Sequence, residues 1–365
     1  MSVCLSTAAI CFVYGAFSLE IMNQMSSTND NAPLIDSFGR VHTSFRISVT
    51  DRCNLRCFYC MPEEKVRFRP RNEILSYEEI ERFVRIVSRQ GIRKVRISGG
   101  EPLVRTDLWR LVERLSSIKP IKEVALTTNG MLLSQQAQKL KDAGLSRLNI
   151  SLDTLNEDTF RKIARRDGLD LVLDGIAAAE RVGFENIKLN ALSIRGLAEN
   201  EIVPLAEFAR KRELELRFIE FMPLDAGGQW QTDDVLSGGE VRKILEAALG
   251  PLVPLPRGDA SLPAVEYRFA SGGGKIGFIN SVTEPFCDQC NRLRLTAEGK
   301  IRNCLFSKEE WDVRQFLRHE DCSPEAVDVQ VMDRVQAAVG QKKAGHGIGT
   351  AEFTPPQRSM HQIGG

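Results

Sequence analysis

The feature that most restricts this fold is a repeat. From Phe45 onward, short apolar runs alternate with amphipathic stretches, six times over. The runs Phe45–Val49, Lys94–Ser98, Glu123–Thr127, Arg147–Leu152, Asn186–Leu192 and Glu215–Ile219 are each rich in Val, Ile, Leu or Phe. They have the length of buried parallel strands. The clearest helix between them runs from Ser76 to Gln90. Ser76-Tyr-Glu-Glu79 is a capping box, Ile80, Phe83, Val84 and Val87 fall on one face, and Gly91 supplies a C-terminal stop. Thr106–Ser116, Ser134–Ala143, Leu169–Val182 and Glu199–Lys211 read as further helices. Six strand–helix units predict an α/β fold, a partial (β/α)6 TIM-like barrel two strands short of closure, with an open parallel sheet as the alternative. In either case the active face lies at the C-terminal strand ends, where Ser98-Gly-Gly-Glu101, Thr127-Thr-Asn129 and Ser151-Leu-Asp153 collect.

Past Pro223 the alternation fails, and Pro251, Pro254, Pro256 and Gly272–Gly274 mark a less regular region. The expected organisation is a disordered N-terminal extension (1–35), the partial barrel (36–223), a smaller C-terminal domain (224–350) and a tail (351–365). Ser2 to Leu19 carry no charge, and no Lys or Arg precedes Arg40. That pattern suits neither a secretory signal nor a mitochondrial presequence. It reads as an extension from an upstream start, with Met22 or Met25 as the true start, and a membrane anchor as the alternative. The formal net charge of +1 gives no reason to expect nucleic-acid binding, so any anion site must be built locally from a few arginines.

Six of the nine cysteines fall into two clusters, Cys53/Cys57/Cys60 and Cys287/Cys290/Cys304. An odd number of cysteines, clustered at short spacing in a long chain, points to metal binding in a reducing compartment rather than to disulfides. The first cluster follows the first strand directly. Zinc wants four protein ligands, and ferredoxin spacings supply four thiolates. Three thiolates on a four-iron cluster leave one iron open to an external ligand. The glycines of Ser98-Gly-Gly-Glu-Pro102 let backbone approach a ligand closely; by itself a Gly-Gly after a strand is as often a tight turn. The second cluster again offers three thiolates, with a zinc knuckle recruiting His319 or Cys322 as the alternative. In Asn291-Arg292-Leu293-Arg294, strand alternation puts Arg292 and Arg294 on one face, a fork suited to phosphate or simply a solvated strand face.

Cys-x3-Cys-x2-Cys with Tyr59 before its last Cys resembles the signature of radical S-adenosylmethionine (SAM) enzymes. The whole chain after the extension resembles one of their families, the GTP 3′,8-cyclases of molybdenum-cofactor biosynthesis. The resemblance rests on Asp36-Ser-Phe-Gly-Arg40, Arg46-Ile-Ser-Val-Thr-Asp-Arg-Cys53, Cys57-Phe-Tyr-Cys-Met-Pro62, Phe218-Ile-Glu-Phe-Met-Pro223, Cys287-Asp-Gln-Cys-Asn-Arg-Leu-Arg294 and the final Gly364-Gly365.

The resemblance implies two [4Fe-4S] clusters, one on Cys53, Cys57 and Cys60 and one on Cys287, Cys290 and Cys304, each with an open iron. It implies SAM contacts at Tyr59, Gly100, Ser151 and Met222. GTP contacts are implied at Arg46, Arg96, Thr127, Lys188, Arg292, Leu293 and Arg294, and catalytic roles for Arg292, Arg294, Gly364 and Gly365. The implied chemistry is removal of the ribose 3′ hydrogen by a 5′-deoxyadenosyl radical and attack of C3′ on guanine C8. The product is (8S)-3′,8-cyclo-7,8-dihydroguanosine 5′-triphosphate. The tail, disordered by composition alone, is implied to carry its Gly-Gly into the active site. Also implied are a downstream cyclic pyranopterin monophosphate synthase, an electron donor such as flavodoxin or ferredoxin, a homodimer, and a cytoplasmic location. Another radical SAM enzyme with an auxiliary cluster, of the peptide-modifying type, is the rival reading. A non-catalytic iron–sulfur or zinc protein is the other.

Overall fold

The structure is a computed structural model that describes residues 32–61, 66–224, 228–319 and 321–364. Residues 1–31, with Met22 and Met25, lie outside the described residues, as does Gly365. Within them no helix is long and apolar enough to cross a membrane.

The six expected strands form as β1 (Ser44–Ser48), β2 (Lys94–Ser98), β3 (Glu123–Thr128), β4 (Arg147–Ser151), β5 (Ile187–Ser193) and β6 (Glu215–Glu220). They pair in parallel in sequence order. The helices that return each strand are α1 (Tyr77–Arg89), α2 (Leu108–Ser116), α3 (Leu133–Asp142), α4 (Glu157–Ala164), α5 (Leu169–Arg181) and α6 (Glu199–Lys211). α1 is capped as its sequence dictates. Glu79 N donates to Ser76 Oγ at 3.1 Å, and Ser76 N donates to Glu79 Oε2 at 2.5 Å. Its apolar stripe packs on the sheet, with Phe83 edge-on to Phe45 at 5.1 Å between ring centroids.

The C-terminal region continues the same sheet. Its strands are β7 (Leu252–Pro254), β8 (Val265–Phe269), β9 (Lys275–Ile279), β10 (Arg292–Leu295), β11 (Lys300–Arg302) and β12 (Trp311–Asp312). The strand order is β12-β11-β10-β1-β2-β3-β4-β5-β6-β9-β8-β7. β10 runs parallel to β1 and β9 parallel to β6, so eight parallel strands stand side by side, flanked by antiparallel edges. The two strands the repeat lacks for a barrel are thus supplied from far along the chain, one at each edge. Helices α7 (Gly238–Leu249), α8 (Arg314–Leu317), α9 (Pro324–Gly340) and α10 (Met360–Ile363) complete the fold. One apolar core runs through barrel and C-terminal region alike, from Phe45 and Leu111 to Leu293 and Val335.

Candidate active site

The loop after β1 carries Cys53, Cys57 and Cys60. The carbonyl of Cys57 accepts from Cys60 N at 2.9 Å and Met61 N at 3.0 Å, a tight turn that gathers the last two thiols. Arg56 Nη1 holds the Cys53 carbonyl at 2.8 Å. Gly99 and Gly100 have a structural reason. A Cβ on Gly100 would lie 2.3 Å from the carbonyl oxygen of Arg52, and one on Gly99 would lie 2.5 Å from that of Thr50. The close approach they permit is to the chain's own cysteine loop, sealed by Gly100 N to Thr50 O and Glu101 N to Arg52 O, both 2.8 Å. Buried Glu101 then ties this corner to the end of β3, accepting from Asn129 N at 2.6 Å and Thr128 Oγ1 at 2.7 Å. Burial outweighs those bonds and pushes its carboxyl up to about 7.

Burial first, then the neighbouring Glu101, pushes the Cys53 thiol up to about 11. Burial and Cys53 push Cys60 to about 12. All three thiols are thus pushed toward the protonated form, and a cationic iron core is what would let them ionise together.

The second triad is assembled from two segments. Cys287 and Cys290 share a 3-10 turn before β10, and Cys304 follows β11. Asp36-Ser-Phe-Gly-Arg40 is its brace. Asp36 orients Arg40 through Nε at 2.7 Å, and Arg40 fans out to the carbonyls of Cys287 (2.8 Å), Lys343 (2.7 Å) and Ala344 (3.0 Å). Burial would raise the Cys290 thiol, but Arg292 and Lys342 outweigh it and draw it down to about 6. Neither His319 nor Cys322 lines the cavities around this triad, and Cys322 packs against the hydrophobic core. His346 does line them, with both ring nitrogens spent. Nδ1 accepts from Ile348 N at 3.0 Å, so Nε2 carries the proton and donates to Ser281 O at 2.9 Å. Among the described residues no three His, Cys, Asp or Glu side chains converge on a single ion.

One cavity spans the concave face of the barrel. Arg46, Tyr59, Arg96, Thr127, Ser151, Met222, Cys287, Cys290, Arg292, Arg294 and Cys304 line it. The register stacks Arg294, Arg46 and Arg96 side by side on β10, β1 and β2. Burial lowers Arg46 well below the usual guanidinium range, and Arg294, Arg96 and Arg292 add to it by repulsion. Burial, then Arg147 and Arg217, brings Arg96 to about 9; burial, then Arg292, brings Arg294 to about 10. Among the described residues neither Arg46 nor Arg96 has a carboxylate within ion-pair distance. Buried positive charge of this density calls for a polyanion.

Three expected residues stand apart. Lys188 does not line the cavity; its Nζ pairs with Glu215 at 2.7 Å. The side chain of Leu293 is in the core, on the other face of β10 from Arg292 and Arg294. Gly100 faces the Cys53 loop. Two charged cavity residues carry no expected contact: Arg217, which the sequence alone does not single out, and Asp153, which it places only in a polar strand tail. Arg217 shares the cavity lining through the same alternation that exposes Arg96. Asp153 accepts from Tyr59 Oη at 2.7 Å and from Leu192 N at 2.8 Å, and belongs to the polar tail of β4.

The tail contributes Met360 to the lining of this cavity. Arg358 pairs with Glu298 and, at 2.7 Å, with Glu310. Beyond it, His361 Nδ1 bonds the Cys60 carbonyl at 3.3 Å, and Arg294 Nη1 donates to Gly364 O at 2.5 Å. Gly364 sits at φ +82°, where a Cβ would meet Ser48 Cβ at 2.9 Å. Any other residue there is obstructed as well as strained.

The radical SAM superfamily model matches residues 47–209, and the molybdenum cofactor synthesis C model matches 214–348. A GTP 3′,8-cyclase of Rhodopirellula baltica is 52% identical over 93% of this chain and 94% of its own length. One of Pelotomaculum thermopropionicum is 44% identical over 90% and 99%. The molybdenum cofactor biosynthesis protein 1 of Drosophila melanogaster is 44% identical over 87% of this chain but 55% of that protein. In fold alone the chain resembles SuiB of Streptococcus suis, solved with its precursor peptide SuiA. The TM-score is 0.59 at 14% identity, over 93% of this chain and 75% of that one.

Proposed function

The chain belongs to the GTP 3′,8-cyclase family of radical SAM enzymes, and we propose that its two thiolate triads and the arginine-lined cavity between them are the machinery of that activity. Its reaction is the conversion of GTP to (8S)-3′,8-cyclo-7,8-dihydroguanosine 5′-triphosphate, the first step of molybdenum-cofactor biosynthesis. The observation that carries the assignment of the site is the row Arg294–Arg46–Arg96, buried at Arg294 and half-buried at its two neighbours, without carboxylate partners among the described residues, and beside the second triad.

Cys53, Cys57 and Cys60 hold one [4Fe-4S] cluster, and Cys287, Cys290 and Cys304 hold a second. When bound, the first cluster with SAM supplies the one-electron cleavage that generates the hydrogen-abstracting radical. The protein's own residues do the rest. Arg46, Arg96 and Arg217 neutralise the triphosphate, with Arg292 and Arg294 at the base end. Tyr59, Ser151, Asp153 and Met222 shape the SAM end. The tail closes the cavity to water, Gly364 being small enough to pass Ser48 and Ser98. Lys188 acts at one remove, holding Glu215, which in turn holds Arg217. The product passes to a cyclic pyranopterin monophosphate synthase, and a cytoplasmic homodimer is the expected form. The seven cysteines among the described residues are all free, in keeping with a reducing compartment.

Anaerobic reconstitution tests the reading. About eight irons per chain and GTP-dependent formation of 5′-deoxyadenosine are expected. SAM cleavage indifferent to GTP points instead to a peptide-modifying relative, and a single zinc with no cleavage to a non-catalytic protein.

A further inference from the structure

Two short basic runs, Arg67-Phe-Arg-Pro-Arg71 and Arg161-Lys-Ile-Ala-Arg-Arg166, lie some ninety residues apart in sequence and take no part in the site described. The fold brings both to the outer side of the first cysteine loop. Arg56 N donates to Ala164 O at 3.0 Å and Phe58 N to Ile163 O at 3.1 Å, which docks the C-terminal end of α4 against the loop. From the other side, the guanidiniums of Arg52 and Arg56 stand 5.8 and 5.6 Å from the centroid of the Phe68 ring. Arg161 is neutralised by Asp158 and Asp167, and Arg69 by Glu73. Arg52, Arg67, Lys162 and Arg166 remain exposed around the loop. No ion pair within the described residues neutralises these four. They do not face the substrate cavity, so they cannot serve the triphosphate.

We propose that this face, centred on Arg52, Arg67, Lys162 and Arg166, is where an acidic one-electron carrier protein docks to reduce the first cluster. The inference rests on the assignment of that cluster to Cys53, Cys57 and Cys60. Arg52 and Arg56 flank Cys53 and Cys57 directly in the chain, so a carrier seated here has only the loop itself between its redox centre and the thiolates. Complementary charge raises the encounter rate and orients the partner, the need of a transient electron-transfer complex. With a flavodoxin hydroquinone anion as carrier, one electron leaves the flavin, which becomes the neutral semiquinone. The cluster gains that electron, and no proton or further reactant is required.

The test uses the reconstituted holoenzyme with reduced flavodoxin as the probe, and dithionite as a small reductant that needs no docking. For wild type, flavodoxin affinity by calorimetry and the stopped-flow reduction rate should both fall at least about tenfold between roughly 20 and 200 mM salt. The combined variant Arg52→Glu, Arg67→Glu, Arg166→Glu should lose at least about tenfold in both at low salt. Its dithionite-driven formation of 5′-deoxyadenosine should stay unchanged. A wild-type rate flat with salt, or a variant reduced by flavodoxin as fast as wild type, overturns the proposal. So does an equal loss with dithionite, because the substitutions then damage the site itself. If wild type cleaves no SAM with either reductant, the assignment of the first cluster fails and the docking face falls with it.

Discussion

Arg46 and Arg96 place two half-buried guanidiniums with no carboxylate among the described residues to meet them, an arrangement that costs folding energy and returns it on binding an anion. Arg96→Met is therefore expected to leave the nucleotide-free protein as stable as wild type or more so, while raising the KM for GTP about 10- to 100-fold. Thermal melts with and without GTP, alongside steady-state kinetics, check both halves; a variant that is less stable and binds GTP normally contradicts them. Glu101 gives a pH dependence of known sign. Its carboxyl titrates near 4.5 when unfolded and about 7 when folded, so the folded state holds the proton longer. The stability this contributes is complete below pH 4.5 and is lost as pH rises through 7, up to about 3 kcal/mol. Anaerobic urea denaturation from pH 4.5 to 8 should show this slope in wild type and a flatter one in Glu101→Gln. Arg292 and Arg294 stand out by strand alternation, whereas Arg46 and Arg96 read as ordinary strand charges until the family motifs are set beside them. Arg217 was not legible, because in Glu215-Leu-Arg-Phe-Ile-Glu220 nothing tells a cavity-facing arginine from one that merely pairs with Glu215, and it does both.

At the scale of elements, the first cysteine loop depends on a glycine pair in the neighbouring strand end. Gly100→Ala puts a methyl group 2.3 Å from the Arg52 carbonyl and should spring the loop from its seat. Iron content should drop by about half (four of eight irons) with the circular dichroism of the barrel retained; full iron loading would refute the coupling. The tail is held mainly by Arg358 between Glu298 and Glu310. Arg358→Ala should keep both clusters, expose residues 355–364 to hydrogen exchange, and lower turnover at least about tenfold. Unchanged exchange there would mean the tail is anchored elsewhere. The barrel strands were readable to within a residue or so, since buried parallel strands are continuous apolar runs. Helix α4 was not, being eight residues long and mostly charged, with only its Asn156 cap as a signal. The latch was illegible for a different reason: Arg358 finds its acids sixty and forty-eight residues back, and no local pattern records that.

For the whole molecule, the C-terminal region reads from sequence as a separate, smaller unit because its strands are short and its turns rich in Gly and Pro. Its strands also complete the parallel sheet at both edges, a pairing across so much chain that periodicity cannot register it. A fragment ending at residue 223 therefore leaves β1 and β6 as bare, apolar edges, and is expected to be insoluble or unfolded when expressed alone. A soluble, cooperatively melting fragment would show that the barrel half is self-sufficient. The pairing of Ser44 with Arg292 also bears on biosynthesis. At ~5–20 residues per second, β1 waits on the order of 10 to 50 s for its outer neighbour to leave the ribosome. Throughout that interval the Cys53 loop is already made while Cys287, Cys290 and Cys304 are still being translated. The first cysteine loop is thus synthesised well before the second triad, and the nascent chain must be shielded along one open edge until β10 arrives.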